Sequence, residues 1–410
     1  MSEQTFIIVG ASLAGAKAAE ELRTRGFDGR VLLIGAESER PYERPPLTKD
    51  YLRGESEREK TYVHEQGFYE QHQIELLTDT TVTAIDTDGS RVTLGDGSEL
   101  GFDRLLLATG ARPISIAGAE LDGVHYLRTL SDCDALRRRL ESGGHVVVVG
   151  AGWIGSEFAA SARQRGLEVT VVDPLALPNE RIFGPEVGAF YRDVHRDHGV
   201  ELALGEGVDA FEGDRSVARV RTAGGRVIEC DFVVVGIGVT PRVELAAATG
   251  LEFDNGILVD EKLQTSAPSV FAAGDVANAW NPFYGERIRV EHWSNALNQG
   301  PAAARAMLGE RISYDRIPYF FSDQYEVGME YSGYAPVWDE IVFRGAPADG
   351  EFIAFWLRDR RVVAGMNVNV WDVNEHVQAL IRSRQPIDLA MLTDPDTPLD
   401  SLAAKPTTET

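Results

Sequence analysis

Phe6-Ile7-Ile8-Val9-Gly10-Ala11-Ser12-Leu13-Ala14-Gly15 opens the stretch, residues 5–37, on which the fold turns. The run Phe6 to Val9 is too short for a helix and rich in β-branched residues, which predicts a buried strand. It stops at Gly10. From Leu13 to about Arg25, apolar Leu13, Ala18 and Leu22 recur among polar residues, the pattern of an amphipathic helix. A second apolar run, Val31 to Ile34, ends beside Glu37. Strand, glycine turn, helix, strand and acid in that order make a nucleotide-binding βαβ unit.

Each part has a physical use. Glycines at 10 and 15 let backbone come close to a pyrophosphate. The helix N-terminus offers unsatisfied N–H groups and the positive end of a dipole, and the acid accepts hydrogen bonds from a ribose. Ser12 departs from the fingerprint, which has glycine there. The bare alternative is a tight strand-to-helix turn with no ligand.

Further along, the pattern returns. His145-Val146-Val147-Val148-Val149 predicts a strand, and Gly150-Ala151-Gly152-Trp153-Ile154-Gly155 is a complete G-x-G-x-x-G. A helix-compatible stretch, Ser156 to Arg165, follows, then a strand from Val169 to Val172, with Asp173 standing 23 residues after Gly150. Gly10 and Gly150 are 140 residues apart, as are Gly15 and Gly155. A second echo joins Leu105 to Pro113 with Val233 to Pro241, matching Gly110 to Gly238. Two copies of one dinucleotide-binding plan are expected. A carboxylate at Asp173 accepts from an unmodified ribose and repels a 2′-phosphate, so the second site should prefer NADH, with Arg181 nearby to soften the preference.

The remaining segments are less regular. Residues 39–49 hold three prolines in six positions and predict a rigid, extended loop carrying Arg40, Arg44 and Lys49. Residues 74–113 predict a hairpin or meander with a turn at Asp96-Gly97. From 263 to 318 the chain is expected to return to the first domain, through a strand ending at Gly274-Asp275 and a helix reaching Met307. Residues 319–400 are rich in Tyr, Phe and Trp and alternate like strands before a helix around 372–384.

The expected fold class is α/β, with two Rossmann-like domains and a small α+β domain. The first domain takes 1–113 and 241–318, the second 114–240 and the third 319–400, with a disordered tail at 401–410.

At 410 residues the chain is long enough for two or three domains. A formal net charge of −24 disfavours binding to nucleic acid or anionic lipid. No apolar run approaches the length of a membrane span. The N-terminus leads straight into the first strand and leaves no room for a signal peptide. Two cysteines, Cys133 and Cys230, are too few for a disulfide framework and suit a reducing cytoplasm. No metal-ligand cluster and no Ser/His/Asp arrangement stands out.

The chain resembles the FAD-dependent, NADH-using ferredoxin reductases that serve bacterial cytochrome P450 and ring-hydroxylating oxygenase systems. These share the two-dinucleotide-domain fold of glutathione reductase. The likeness runs through nearly the whole chain and rests on residues 9–15, 44–49 (Arg-Pro-Pro-Leu-Thr-Lys), 107–113, 150–157, 272–277, 291–293 and 318–324.

The resemblance implies roles. FAD would lie along Gly10, Ser12, Leu13, Ala14 and Gly15, with Glu37 on its ribose, Arg44, Pro45 and Lys49 near pyrophosphate and flavin, and Asp275 beside Gly274 on the ribityl chain. Trp293 would sit by the isoalloxazine. Thr109, Gly110, Arg128 and Gly238 complete the cofactor-binding set. NADH would lie on Gly152, Trp153, Ile154 and Gly155, with Asp173 at its ribose. Lys49, Glu157 and Trp293 are the expected catalytic residues, Lys49 and Glu157 as a charge pair. Phe320, Phe321 and Asp323 would face the flavin from the last domain.

Disulfide reductases of the same fold need a Cys-x4-Cys pair after the first βαβ unit, and residues 38–60 contain no cysteine. Electrons must therefore leave to an outside acceptor, expected to be a 2Fe–2S ferredoxin. Arg358, Arg360, Arg361, Arg382 and Arg384 are candidate docking cations. A rubredoxin or small-molecule acceptor stays open, as does a redox-responsive interaction protein of the apoptosis-inducing-factor kind. Monomer and homodimer are both open.

Overall fold

The structure, a computed structural model, describes residues 4–403. It divides into two compact units. One takes the chain up to Pro46, Ser56–Arg112 and Val239–Arg316; the other takes Leu47–Glu55, Pro113–Gly238 and the chain from Ile317 onward.

The first unit is built on β1 (Thr5–Val9), α1 (Leu13–Thr24) and β2 (Arg30–Ile34). Their sheet is wholly parallel, in the order 270–272, 104–107, β1, β2, 74–77. Its strands are apolar along their length because they are buried in one core with α1 and with Val82, Ile85, Val92 and Leu94 of a neighbouring segment. Residues 82–86, 91–94 and 99–101 form a separate antiparallel meander. The expected meander over 74–113 therefore holds only for its middle; 74–77 and 104–107 on either side are parallel strands of the main sheet.

The second unit repeats the plan with β3 (His145–Val149), α2 (Trp153–Gln164) and β4 (Glu168–Asp173). Its parallel sheet runs 201–204, β4, β3, 232–235, 124–126. Next comes α3 (Glu180–Asp197), broken at Gly184, where φ is 76° and Pro185 follows.

The same unit contains a five-stranded antiparallel sheet, ordered β5 (Tyr319–Gln324), β6 (Val327–Gly333), 361–368, 351–358, 340–346. Helix Asn374–Ser383 packs against two of its strands. Phe183, Val187 and Tyr191 of α3 share one core with Tyr331, Phe352 and Trp356 of this sheet.

Residues 319–400 fall in the same compact unit as β3, α2 and β4, and α3 shares one core with their sheet. Residues 47–55 fall in that unit as well. One expectation changes: the proline loop is not extended throughout, since Pro45–Thr48 makes a 3-10 turn, which the fixed φ of proline suits at a helix start. Of the expected tail, 401–410, Ser401 ends the 3-10 turn Leu399–Ser401, and 404–410 lie outside the described residues. No described helix is long and apolar enough to cross a membrane.

Candidate functional site

The two glycine loops are built alike. The Gly10 N–H donates to Ile34 O at 2.8 Å, and the Gly150 N–H to Val172 O at 2.8 Å, locking each turn onto the next strand. A Cβ on Gly15 would lie 2.0 Å from Gly10 O, and one on Gly155 1.9 Å from Gly150 O, so each helix meets its own turn with no room for a side chain. Neither α1 nor α2 has a side-chain cap or an acid in its first turn. Helix N-termini left this way suit an anion, so the residues present fit a pyrophosphate at each loop.

Ser12 is explained by its counterpart. A Cβ on Gly152 would meet nothing within 4 Å, and Ser12 has an extended backbone, φ −122° and ψ −165°. A small side chain is accommodated there.

In the first unit, Glu37 accepts from the Tyr42 hydroxyl at 2.5 Å and faces Arg44 Nη2 at 3.5 Å. Burial works against the Arg44 charge, but Tyr42, Glu37 and Asp275 outweigh it and raise the guanidinium above its usual range. Glu37, Arg44 and Asp275 thus belong to one electrostatic neighbourhood. Gly274 donates its N–H to Gln299 Oε1 at 2.8 Å, which fixes the turn carrying Asp275. Thr109 Oγ1 donates to Arg242 O, and Arg242 N to Gly110 O, each at 2.9 Å. Trp293 is half-buried and opens the helix Trp293–Met307.

In the second unit, both Asp173 oxygens are engaged by backbone. Oδ2 accepts from Ala151 N at 2.6 Å and Oδ1 from Leu175 N at 2.7 Å. The residue expected at a ribose also braces the glycine loop, and an ionised carboxylate has lone pairs left for a second acceptor role. Trp153 stacks on Phe320, centroids 5.8 Å apart, and meets the edge of Phe183 at 5.2 Å. Gly238 has φ +111° and accepts from Ile114 N at 3.0 Å. Arg128 precedes the helix Leu130–Glu141, and its N–H donates to Asp132 Oδ2 at 3.1 Å.

The most concentrated polar group surrounds Glu157, on α2 two residues past Gly155. It is 7 % exposed. Its Oε2 accepts from Lys49 Nζ at 2.6 Å and from Thr48 Oγ1 at 2.5 Å; its Oε1 accepts from Ser322 Oγ at 2.7 Å. A buried ion pair persists only when the remaining lone pairs are satisfied, and the two hydroxyls do that.

The loop bearing Lys49 is fastened on three sides. Ser161 Oγ donates to Thr48 O at 2.6 Å, Tyr51 Oη to Asp134 at 2.6 Å, and Cys133 Sγ to Leu47 O at 3.4 Å. These contacts are why residues 47–55 join the second unit. Lys49 Nζ lies 5.4 Å from the Phe321 ring centre. Burial raises the Asp323 carboxyl and Glu157 adds to that, while Lys49 pulls it down.

Sequence reasoning paired Lys49 with Glu157 but missed the roles of Thr48, Ser322 and Tyr42. For Thr48 and Ser322 the only signal was a hydroxyl inside the Pro-Leu-Thr-Lys and Phe-Ser-Asp-Gln segments; Tyr42 carried none. Burial pushes the Cys133 and Cys230 thiols up to about 12 each, far from the thiolate that sulfur chemistry requires.

Comparison with known proteins agrees with this architecture. Residues 4–300 match the pyridine nucleotide-disulphide oxidoreductase family, and residues 319–403 match a reductase C-terminal domain. The chain is 38 % identical over 411 residues to putidaredoxin reductase CamA of Pseudomonas putida, covering 98 % of this chain and 97 % of that one. It is 40 % identical over 405 residues to the anthranilate 1,2-dioxygenase system ferredoxin--NAD(+) reductase component of Burkholderia cepacia, covering 96 % and 98 %. The crystal structure of a covalent putidaredoxin reductase–putidaredoxin complex superposes with a TM-score of 0.93 at 38 % identity, covering 97 % of each chain.

Proposed function

Because the chain belongs to the pyridine nucleotide-disulphide oxidoreductase family, we propose that it is a reductase passing electrons from NADH through FAD to a 2Fe–2S ferredoxin that feeds an oxygenase. The observation that carries the acceptor's nature is the cysteine chemistry: none in residues 38–60, and both thiols elsewhere held protonated by burial. Without a thiol relay, electrons leave to a partner. The names of its relatives, a putidaredoxin reductase and a dioxygenase-system ferredoxin reductase, support a ferredoxin as that partner.

In this reading Gly10 to Gly15, Glu37, Arg44, Asp275 and Trp293 hold FAD. Gly152 to Gly155 and Asp173 hold NADH. Bound FAD supplies a hydride acceptor that releases its electrons singly, chemistry that no side chain can provide. The helix N-termini neutralise pyrophosphate charge. Glu157 keeps Lys49 in place, and the pair fixes the field beside the nicotinamide-binding helix. Cytoplasmic residence is part of the proposal and rests on the two free cysteines.

The test is anaerobic addition of NADH, and separately NADPH, to the purified protein while the flavin band is followed, then addition of a ferredoxin. Bleaching by NADH well before NADPH, and reoxidation by the ferredoxin, are expected. A protein that takes up no FAD, or a reduced flavin indifferent to every ferredoxin, overturns the proposal.

A further inference from the structure

A line of buried polar groups leads away from Glu157. Ser322 Oγ bonds Glu157 Oε1 at 2.7 Å, Gln324 Nε2 bonds Ser322 Oγ at 3.2 Å, His195 Nε2 bonds Gln324 Oε1 at 3.0 Å, and His195 Nδ1 bonds Tyr325 Oη at 3.3 Å. Ser322, Gln324 and His195 are each at most 2 % exposed. At the outer end Tyr325 holds a left-handed backbone, φ 57°, in the turn between β5 and β6. There it stacks on His198, centroids 3.7 Å apart, and His198 in turn meets the exposed Glu326 at 3.0 Å. A bulky residue keeps φ positive only where its surroundings impose it.

Hydrogen-bond direction along this line follows from Lys49. With Lys49 as partner, Glu157 is an acceptor only. Ser322 must then donate to it and accept from the Gln324 N–H. That turns the Gln324 carbonyl to His195, so the proton sits on Nε2 and Nδ1 is bare. Tyr325 donates to Nδ1. Every donor points inward to one carboxylate, an arrangement in which neighbouring bonds polarise each other. A carboxamide in the middle makes the line a poor proton wire but a good conveyor of orientation.

We propose that Ser322, Gln324 and His195 form a one-way donor relay by which the Tyr325 turn of the C-terminal sheet positions the Lys49–Glu157 pair. His195 is a positioning residue in it, acting on Glu157 through two intermediaries. Burial takes the imidazole down to about 4, with His198 adding to the shift, so it stays neutral as the relay requires. The relay rests on the function proposed above only for its catalytic consequence; its geometry needs no nucleotide.

The experiment is nitrogen NMR of the holoprotein labelled at histidine nitrogens, His195 being assigned by H195Q. Wild type should show a bare Nδ1 and a protonated Nε2 through neutral pH. In E157Q, Lys49 and Thr48 must take the new carbonyl, which turns the new amide N–H to Ser322. Each bond in the line then reverses, and His195 should switch to the Nδ1–H tautomer, three groups away from the substitution. Adding S322A to E157Q should abolish the switch.

A merely structural His195 would keep one tautomer in all these proteins, and that result overturns the proposal. Kinetics give an independent arm. H195Q retains a donor where Nε2 was and should keep most of the NADH-dependent kcat, while H195L should lose about tenfold in kcat with KM little changed, the cost of leaving the buried Gln324 carbonyl without its donor. Equal kcat in H195Q and H195L would also overturn it. Failure of FAD or NADH to bind would defeat the functional reading and leave the tautomer result standing.

Discussion

The two glycine loops share the same turn-closing hydrogen bond and the same tight approach of helix to turn, yet differ sharply at one equivalent helix position. Lys17 and Glu157 stand the same 140 residues apart as the paired glycines. Lys17 is half-buried on α1 and bonds its own neighbour Glu20 at 2.7 Å. Glu157 is buried and gathers donors from residues 48, 49 and 322. The two loops place the same constraint on the helix behind them only at Gly15 and Gly155; the buried polar cluster occurs where other segments close over the second helix.

The sharpest way to break this comparison is to remove the cation from each. Lys49→Met should cost about 3–5 kcal/mol, because Glu157 is left charged, buried and short of a partner. Lys17→Met should change stability by less than about 1 kcal/mol, as for helix i,i+3 pairs that solvent reaches. Urea unfolding measures both, and similar losses would mean the two positions are not different in kind.

Next in size is a pH effect confined to the second unit. The folded-state value for His195 is about 4 against 6.5 for the unfolded chain, so between these the unfolded state binds the extra proton. Stability from this group is complete above about 6.5 and falls as pH drops toward 4, by up to about 3 kcal/mol. Thermal melts from pH 7 to 4 should show wild type losing more than H195Q.

Gly15→Ala and Gly155→Ala should each cost about 1–3 kcal/mol from overpacking against the turn. Their functional losses should separate: flavin retention measured by absorbance for the first, NADH affinity for the second. Mutual loss in both would dissolve the division of labour. The smallest effect is expected for Gly152→Ser, which copies Ser12 into open space and should move stability by no more than about 0.5 kcal/mol.

Much of this was legible in the sequence because glycine spacing and apolar runs are local signals. The order of strand, turn, helix and acid around Gly10 and Gly150 needs no long-range information. Glu37, Arg44 and Asp275 could be named from motifs.

The clamp on Glu157 could not be. Thr48 and Ser322 reach it from 109 and 165 residues away, and neither hydroxyl belongs to a pattern with a period. The shift of residues 47–55 into the second unit was hidden for the same reason: it depends on Tyr51 meeting Asp134 and on Ser161 meeting Thr48. Asp173 was read by type as a ribose acceptor, while its bonds to Ala151 and Leu175 depend on how the loop folds back.

The most direct test of the central claim is the number of electrons the protein stores. In an anaerobic titration, one NADH per FAD should complete the spectral change, since two electrons fill the flavin and no thiol pair stands behind it. Uptake of two NADH per FAD would reveal a second two-electron centre and contradict the account.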